Sequence, residues 1–199
     1  MILLAAFVLL IVESMAQSTT ADPKNDYTSD GSISRISLET DPTTFFFNGY
    51  SLAIRRSATG GKRLDVGAGL YRTELPDFYI EAAEENQDKG WSARNFGVDG
   101  FVDYHFFDAN RGLTAGLVLS VYQFTLQRNQ KETSYNALIE TLRVGYMWRP
   151  IKKWDALYIF PWVGLSTGQK IGGSNQIEGE TFHTPQWSVV PAFQLGYSF

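Results

Sequence analysis

The sequence predicts an all-β chain that closes into an eight-stranded antiparallel, up-and-down barrel of the transmembrane type. Three observations predict it: apolar residues that recur every second position, about eight segments with this pattern, and connections that alternate between short turns and longer polar loops. Successive side chains of a strand point to opposite faces, so alternation gives each segment one apolar and one small or polar face. In a transmembrane barrel the apolar face contacts lipid and the polar face fills the interior.

The first predicted strand is the weakest, because Ile36 and Leu38 alone alternate with the polar residues around them. The six segments that follow place aliphatic and aromatic residues on one face and glycine, threonine or charged residues on the other. In chain order, the eight predicted strands are residues 33–40, 45–56, 63–74, 95–106, 113–126, 135–149, 156–167 and 185–199. An even number of strands is expected for a barrel of this type.

The last strand has the clearest pattern. From Trp187 to Phe199 the odd positions are Trp, Val, Pro, Phe, Leu, Tyr and Phe, and the even positions are mainly Ser, Ala, Gln and Gly. A soluble protein would rarely expose the apolar face of a terminal strand in this way. Six aromatic residues fall at the ends of outward faces on the side of the chain termini, where they would form an aromatic girdle: Tyr104, Phe106, Tyr146, Trp148, Tyr197 and Phe199.

The connections divide into two kinds. Residues 59–62, 107–112 and 150–155 are short, and they are rich in Gly, Asp, Asn and Pro, whereas residues 76–94, 127–134 and 168–184 are longer and more polar. Outer-membrane barrels place short turns in the periplasm and long loops outside. The alternation therefore predicts that both termini lie in the periplasm.

The amino-terminal region predicts export. Residues 2–12 form an unbroken apolar run, which is shorter than the roughly 20 residues needed to cross a bilayer as a helix. Ser14 and Ala16 place small residues where a signal peptidase reads, so we expect a signal peptide at 1–16, cleaved before Gln17. The polar stretch 17–30 then reads as a flexible leader, and 31–199 as the barrel.

Composition excludes several classes of function. The net charge of −4 gives no basic footprint for nucleic acid. The chain has no cysteine, which removes disulfides and thiolate metal sites. We expect neither a cofactor nor a metal.

Residues 31–199 resemble the small outer-membrane barrels of the OmpA and OmpX type in length, strand count and terminal Phe199. The resemblance implies a monomeric barrel in the outer membrane of a Gram-negative-type bacterium, in contact with membrane lipids and lipopolysaccharide. In that group the barrel-assembly machinery recognises the aromatic terminal strand, which Phe193, Tyr197 and Phe199 would satisfy here. The role it favours is envelope structure or surface contact through the outer loops.

Several charged side chains fall on inward faces. An eight-stranded barrel is only wide enough inside for side chains, so these charges must pair. We expect Arg143 to pair with Asp99 and Arg55 with Asp65, which would plug the interior. A narrow channel or solute-binding barrel is the alternative if the charges are unpaired. The inward-facing charged set is Arg55, Asp65, Asp99, Asp103, Arg143 and, near one end, His105.

Two further patterns suggest action on lipid. His183 lies near Glu180, Thr184 and Ser188, and a hydroxyl activated by histidine and oriented by a carboxylate would suit acyl transfer or deacylation on lipid A. Pro161 and Pro191 fall roughly opposite each other on the last two predicted strands. Because proline cannot donate to a strand ladder, the two could mark a lateral seam through which a lipid tail enters. Tolerated bulges are the simpler explanation of these prolines.

Overall fold

The chain forms a closed antiparallel β-barrel in the computed structural model, which describes residues 35–57, 63–107, 110–151 and 154–199. Eight strands close the ring in the order β1-β10-β7-β6-β5-β4-β3-β2, and β8 and β9 form a separate small hairpin. The predicted eight-stranded barrel is thereby confirmed. The predicted signal peptide (1–16), leader (17–30) and turn at 59–62 lie outside the described residues. The strands are β1 (Ile36–Thr40), β2 (Tyr50–Ser57), β3 (Leu64–Glu74), β4 (Ser92–His105), β5 (Gly112–Arg128), β6 (Lys131–Met147), β7 (Leu157–Gly173), β8 (Gln176–Ile177), β9 (Glu180–Thr181) and β10 (Ser188–Ser198).

Both described chain ends lie at one end of the barrel, here called the terminal end. The backbone N–H of Phe199 donates to the carbonyl of Ile36 at 2.8 Å, which closes β10 onto β1. The opposite end, called the loop end, holds the connections 75–91, 129–130 and 174–187. Among the described residues, no helix is long and apolar enough to span a membrane.

The outer surface of the wall is apolar, as alternation predicts. Val189, Leu142 and Leu52 on three different strands expose half or more of their surface. At the terminal end the six predicted girdle residues are all exposed, and Tyr197 and Phe199 meet edge to face at 5.1 Å. An apolar exterior around a buried, charged interior is the arrangement that a lipid solvent favours.

The wall is uneven in height. β1 has 5 residues and β2 has 8, fewer than the roughly 9–11 that a tilted strand needs to cross a bilayer. β5, β6 and β7 have 17 residues each. The predicted strand start at 45 is wrong, because Asp41 caps a 3₁₀ helix, Pro42–Phe47, whose first residue is a proline. This helix exposes Phe45 and Phe46.

Two predicted loops are shorter in the structure. Residues 127–134 form a tight hairpin rather than a loop, because β5 and β6 pair up to Arg128 and Lys131 around Asn129 and Gln130. Both turn residues have positive φ, as a two-residue type I′ turn requires. The predicted loop 168–184 begins later, since β7 continues through a bulge opposite Asn136 to Gly173.

The loop end is closed by a compact cap, defined as residues 75–91 and 174–187 with the strand ends beneath them. The first segment contains a short helix, α1 (Asp77–Ile80), and a 3₁₀ turn, Glu84–Asn86. Trp91 is buried here and packs edge to face on Phe182 at 5.6 Å. The apolar core of the cap is Ile80, Trp91, Ala93, Phe124, Leu126, Tyr135, Ala137, Ile177 and Phe182.

The Asn129–Gln130 turn generates a stability prediction. Gln130 adopts φ 65°, a backbone region that costs a residue with a side chain about 1–2 kcal/mol. Glycine avoids this cost, but part of the gain in stability is offset because glycine has more conformational entropy in the unfolded state. We expect Gln130→Gly to raise the free energy of unfolding by about 0.5–1 kcal/mol, measured by urea denaturation in detergent micelles. The matched control, Gln127→Gly in β5, should lower it by a similar amount, and a loss in both variants would contradict the turn assignment.

Candidate functional site

The terminal half of the barrel interior contains a buried group of ionisable side chains, called the lumen cluster. Its members come from β1, β2, β3, β4 and β6, and all point inward because they occupy the inward positions of their strands. Their exposed fractions are between 0% and 3%. The lumen cluster consists of Glu39, Arg55, Asp65, Asp103, His105 and Arg143.

Arg55 links three carboxylates. Its Nε donates to Glu39 at 2.6 Å, and its Nη1 donates to Asp103 at 2.6 Å and to Asp65 at 3.2 Å. Asp65 and Asp103 are direct cross-strand partners on β3 and β4, a placement in which two like charges repel. The guanidinium of Arg55 removes that repulsion. The expected contact between Arg55 and Asp65 is therefore present, and it is the longest of the three.

Arg143 binds Asp103 through two parallel hydrogen bonds. Nε donates to Oδ1 at 2.9 Å and Nη2 to Oδ2 at 2.6 Å, the bidentate geometry that is strongest for arginine and carboxylate. The prediction that Arg143 pairs with Asp99 is wrong. Asp99 lies nearer the loop end and accepts a hydrogen bond from the hydroxyl of Tyr122 at 2.8 Å.

Gly116 of β5 makes the pairing of Arg143 and Asp103 possible. It lies between them in the sheet, paired with Asp103 on one side and Arg143 on the other. A Cβ on Gly116 would lie 2.0 Å from a carboxylate oxygen of Asp103, closer than any real contact. The absent side chain leaves room for two side chains to meet across an intervening strand.

Aromatic rings fill the space around the two guanidiniums. The ring of Phe101 lies 4.7 Å from the Cζ of Arg55 and 4.8 Å from that of Arg143, and Phe160 lies 5.2 Å and 5.5 Å from the same atoms. These are cation–π distances, and the rings also exclude water. Tyr158 donates to Glu39 at 2.5 Å.

Sequence reasoning did not assign these partners to the cluster. Glu39 occupies an inward position of the weakest predicted strand, so its alternation with Ile36 and Leu38 was the available signal. Phe101 and Phe160 also occupy inward positions, where polar residues are expected. For Phe101, the sequence feature that goes with its inward position is the glycine opposite it, Gly67. A Cβ on Gly67 would lie 2.2 Å from the Phe101 ring.

His105 completes the cluster toward the terminal end. Its Nε2 lies 2.8 Å from Asp65, and its Nδ1 has no hydrogen-bond partner among the described residues. A metal ion needs several ligands together, and in the described part of the chain no three His, Cys, Asp or Glu residues are placed to hold one. The arrangement is a network of mutually neutralising charges.

The residues considered for acyl chemistry hold the cap together instead. The backbone N–H and carbonyl of His183 bond to the side chain of Asn86 at 2.9 and 2.7 Å, and its ring is exposed. Glu180 pairs with Lys89 at 2.8 Å, which lowers the pKa of Glu180. Ser188 lies 3.4 Å from the hydroxyl of Tyr79.

Thr184 is also engaged, with the hydroxyl of Tyr135 at 3.1 Å. Each of these partners connects the segment 174–187 or the start of β10 to another part of the loop end. Within the described residues, no hydrogen bond joins His183, Glu180 and Ser188, so the structure does not assemble the expected triad.

The two prolines do not interrupt the ladder between β7 and β10. Pro161 pairs with Phe193 and Pro191 with Val163, two residues out of register, and the ladder runs unbroken from Ser188 to Tyr197. Their nitrogens face away from each other. The nitrogen of Pro161 faces β6. It points to the same side of β7 as the N–H of Ile159, two residues earlier, which donates to the carbonyl of Trp148.

The nitrogen of Pro191 faces the β1 side of β10, the side to which Phe199 donates. Among the described residues, β1 pairs with β10 only from Leu195 to Ser198. Residues 188–194, called the β10 edge, therefore extend beyond β1 and have no strand partner on that side. Pro191 lies on this edge, where a strand tolerates proline. The Asp41 carboxylate, before the 3₁₀ helix, accepts from the N–H of Phe193.

A closed ring of eight antiparallel strands, with an apolar exterior and a charge-paired interior, defines a small transmembrane β-barrel. No protein-family model and no curated protein matches the sequence. The structure is similar to that of a major outer membrane protein from Thermus thermophilus, with a TM-score of 0.51 and 15% identity over 83% of this chain and 99% of that chain.

Two other solved barrels are similar at lower scores. The N-terminal β-barrel domain of Pseudomonas aeruginosa OprF has a TM-score of 0.45 and 12% identity over 85% of this chain and 100% of that chain. Neisserial surface protein A has a TM-score of 0.37 and 11% identity over 83% and 94%. At these identities the likeness concerns the fold alone.

The lumen cluster predicts a large effect for one carboxylate. Asp103→Asn leaves two buried guanidiniums short of a charge, and removing one partner of a buried pair costs about 3–5 kcal/mol. We expect a loss of that size in the free energy of unfolding, measured by urea denaturation with tryptophan fluorescence. Asp99→Asn, the same change on the same face of β4, should cost about 1 kcal/mol because Asp99 binds a hydroxyl. Equal losses would contradict the arrangement.

Proposed function

We propose that the protein is a closed outer-membrane barrel that anchors the cap on the cell surface, with an envelope-structural or surface-contact role. The observation that supports this most directly is the lumen cluster. Its buried, paired charges and the aromatic rings around them fill the interior at one level, and eight strands leave no space for water beside them. The narrow-channel alternative depended on unpaired lumen charges. The charges of the lumen cluster are paired, and Asp99, nearer the loop end, binds the hydroxyl of Tyr122.

The cap supplies the contact surface in this proposal. Its two segments are held together by Asn86 with His183 and by Lys89 with Glu180, so the surface is ordered rather than a set of independent loops. Phe78 and Trp187 are exposed at its margin. Under this placement the terminal end faces the periplasm, and the wall is in contact with outer-membrane lipids and lipopolysaccharide. Recognition of Tyr197 and Phe199 by the assembly machinery and a monomeric state belong to the same proposal.

Epitope insertion tests the placement of the cap. An epitope inserted after Gly179, in the exposed β8–β9 turn, should bind antibody on intact cells. The same epitope inserted after Asn110, at the terminal end, should bind only after the cells are permeabilised. Labelling of both or of neither on intact cells would contradict the proposal.

The purified protein supplies a second readout of the closed interior. In planar lipid bilayers it should insert without stepwise ion conductance, because the lumen cluster blocks the interior. Reproducible conductance steps would favour the narrow channel instead.

The β10 edge favours a second candidate function, lateral access of a lipid chain to the interior. The inward-facing Val190, Ala192 and Gln194 are only partly buried, unlike the lumen cluster. Gln194 Oε1 and Trp162 Nε1 are buried without hydrogen-bond partners among the described residues, so two polar atoms beside this edge are unsatisfied. This candidate keeps the lateral seam of the sequence prediction but moves it from between the two prolines to the gap between β10 and the 3₁₀ helix. It does not involve chemistry at His183, Glu180 or Ser188.

Fluorescence quenching tests this candidate. Trp162 points inward beside the β10 edge, where it pairs with Ala192. In a variant whose other four tryptophans are phenylalanine, we expect lipids with brominated acyl chains to quench Trp162 if chains enter the wall. The matched control retains only Trp148, which faces outward and should be quenched in any case. Quenching of the control without quenching of Trp162 would remove lateral access.

A further inference from the structure

An open cavity of about 540 Å³ lies at the terminal end of the barrel. Among the described residues, its walls are Trp154, Asp155, Ala156, Leu157 and Tyr197. Leu157 and Tyr197 are cross-strand partners on the outward faces of β7 and β10, and Trp154 is 61% exposed. The cavity therefore opens on the outer side of the wall, at the level of the aromatic girdle, where lipid tails meet their headgroups.

Three arginines bind Asp155, which is the acidic residue in the wall of this cavity. Asp155 accepts from Arg35 at 2.9 Å and from Arg111 at 2.8 Å, and its backbone carbonyl accepts from Arg149. Arg35 and Arg111 remain 39% and 53% exposed, so both guanidiniums keep donors available to a further anion. Hydrogen bonding from Arg35 is the largest cause that holds the pKa of Asp155 below its usual value. Asp155 is thus ionised, and it is one negative charge among three positive ones.

The crowding of positive charge is also visible at Arg149. Burial is the first cause that lowers its pKa, and the charges of Arg35 and Arg111 lower it further. Outside the strands at the terminal end, Asp155 is the one acidic side chain among the described residues. The site therefore combines an excess of positive charge with an apolar cavity that faces the lipid.

We propose that this cavity binds an anionic phospholipid of the periplasmic leaflet, with an acyl chain against Leu157, Tyr197 and Trp154 and its phosphate at Arg35 and Arg111. Arginine guanidiniums bind phosphate in two-pronged geometry, and basic pockets beside a membrane select anionic headgroups. A free phosphate would use the arginines but not the apolar wall. The inference rests on the proposed membrane placement, which sets the terminal end at the periplasmic leaflet.

Native mass spectrometry of the full chain in neutral detergent micelles tests the proposal. With phosphatidylglycerol and phosphatidylcholine at equal concentration, we expect phosphatidylglycerol to dominate the bound lipid. Arg111→Gln should lower that preference about fivefold, the effect of one arginine near an anionic surface. The matched control is Arg63→Gln, which removes the same charge at the same end, where Arg63 binds the carbonyl of Phe106 and not Asp155.

A second variant tests the apolar part of the site independently of charge. Ala156→Phe places a ring in the cavity and should reduce bound phosphatidylglycerol while all arginines remain. Millimolar inorganic phosphate should not displace the lipid, because it cannot occupy the apolar wall.

Equal binding of the two lipids would overturn the proposal, as would an equal loss in Arg63→Gln and Arg111→Gln. Displacement by inorganic phosphate would show a simple anion site and overturn it as well. The assay measures lipid binding in micelles, so its failure is distinct from a failure of the surface-labelling experiment.

Discussion

The carboxylate of Asp103 binds two buried guanidiniums, and the register of the barrel depends on this pairing. Arg55 reaches it from β2, two strands away, and Arg143 reaches it from β6, across β5. A slip of one residue in any of these strands would turn its charge from the interior to the lipid. A charge facing the middle of a bilayer costs about 2–4 kcal/mol. The charges therefore reinforce what apolar alternation already specifies against a slip of one residue. Their pairing also opposes a slip of two residues, which keeps every face and which alternation alone would allow.

Glycines on the inward faces allow these large side chains to fit in a narrow interior. Gly116 leaves room between Asp103 and Arg143, and Gly67 leaves room for the ring of Phe101. A Cβ on Gly196 would likewise lie 2.1 Å from the ring of Tyr158, which binds Glu39. Small residues thus face large ones throughout the cluster, as close packing in a small barrel requires.

The sequence was sufficient to predict the inward and outward faces, because the period of two is a local property of each strand. It was not sufficient for the pairing of Arg143. Asp99 and Asp103 lie on the same face of the same strand, and only the register across Gly116 shows which of them Arg143 meets. The β10 edge was missed for a related reason: its existence depends on where β1 ends, and β1 ends at Thr40 because Asp41 caps the 3₁₀ helix that follows. The roles of the cap residues could not be predicted, since they depend on contacts between two loops.

Closure of the interior and lateral access are compatible because they lie at different heights. Glu39 of the lumen cluster pairs with Gly196 of β10. Gly196 lies closer to the terminal end than Gln194, the last residue of the β10 edge. A chain that entered at the edge would lie above the charges and below the cap. On the terminal side of the β10 edge, β10 pairs with both β1 and β7, whereas along the edge it pairs with β7 alone and relies on the 3₁₀ helix and the bond from Phe193 to Asp41 on the other side. Because residues 188–194 have a strand partner on one side only, we expect local opening there to cost less free energy than opening where β10 pairs on both sides. The two proposals, an interior closed to ions and a wall that admits lipid at the β10 edge, therefore do not exclude each other.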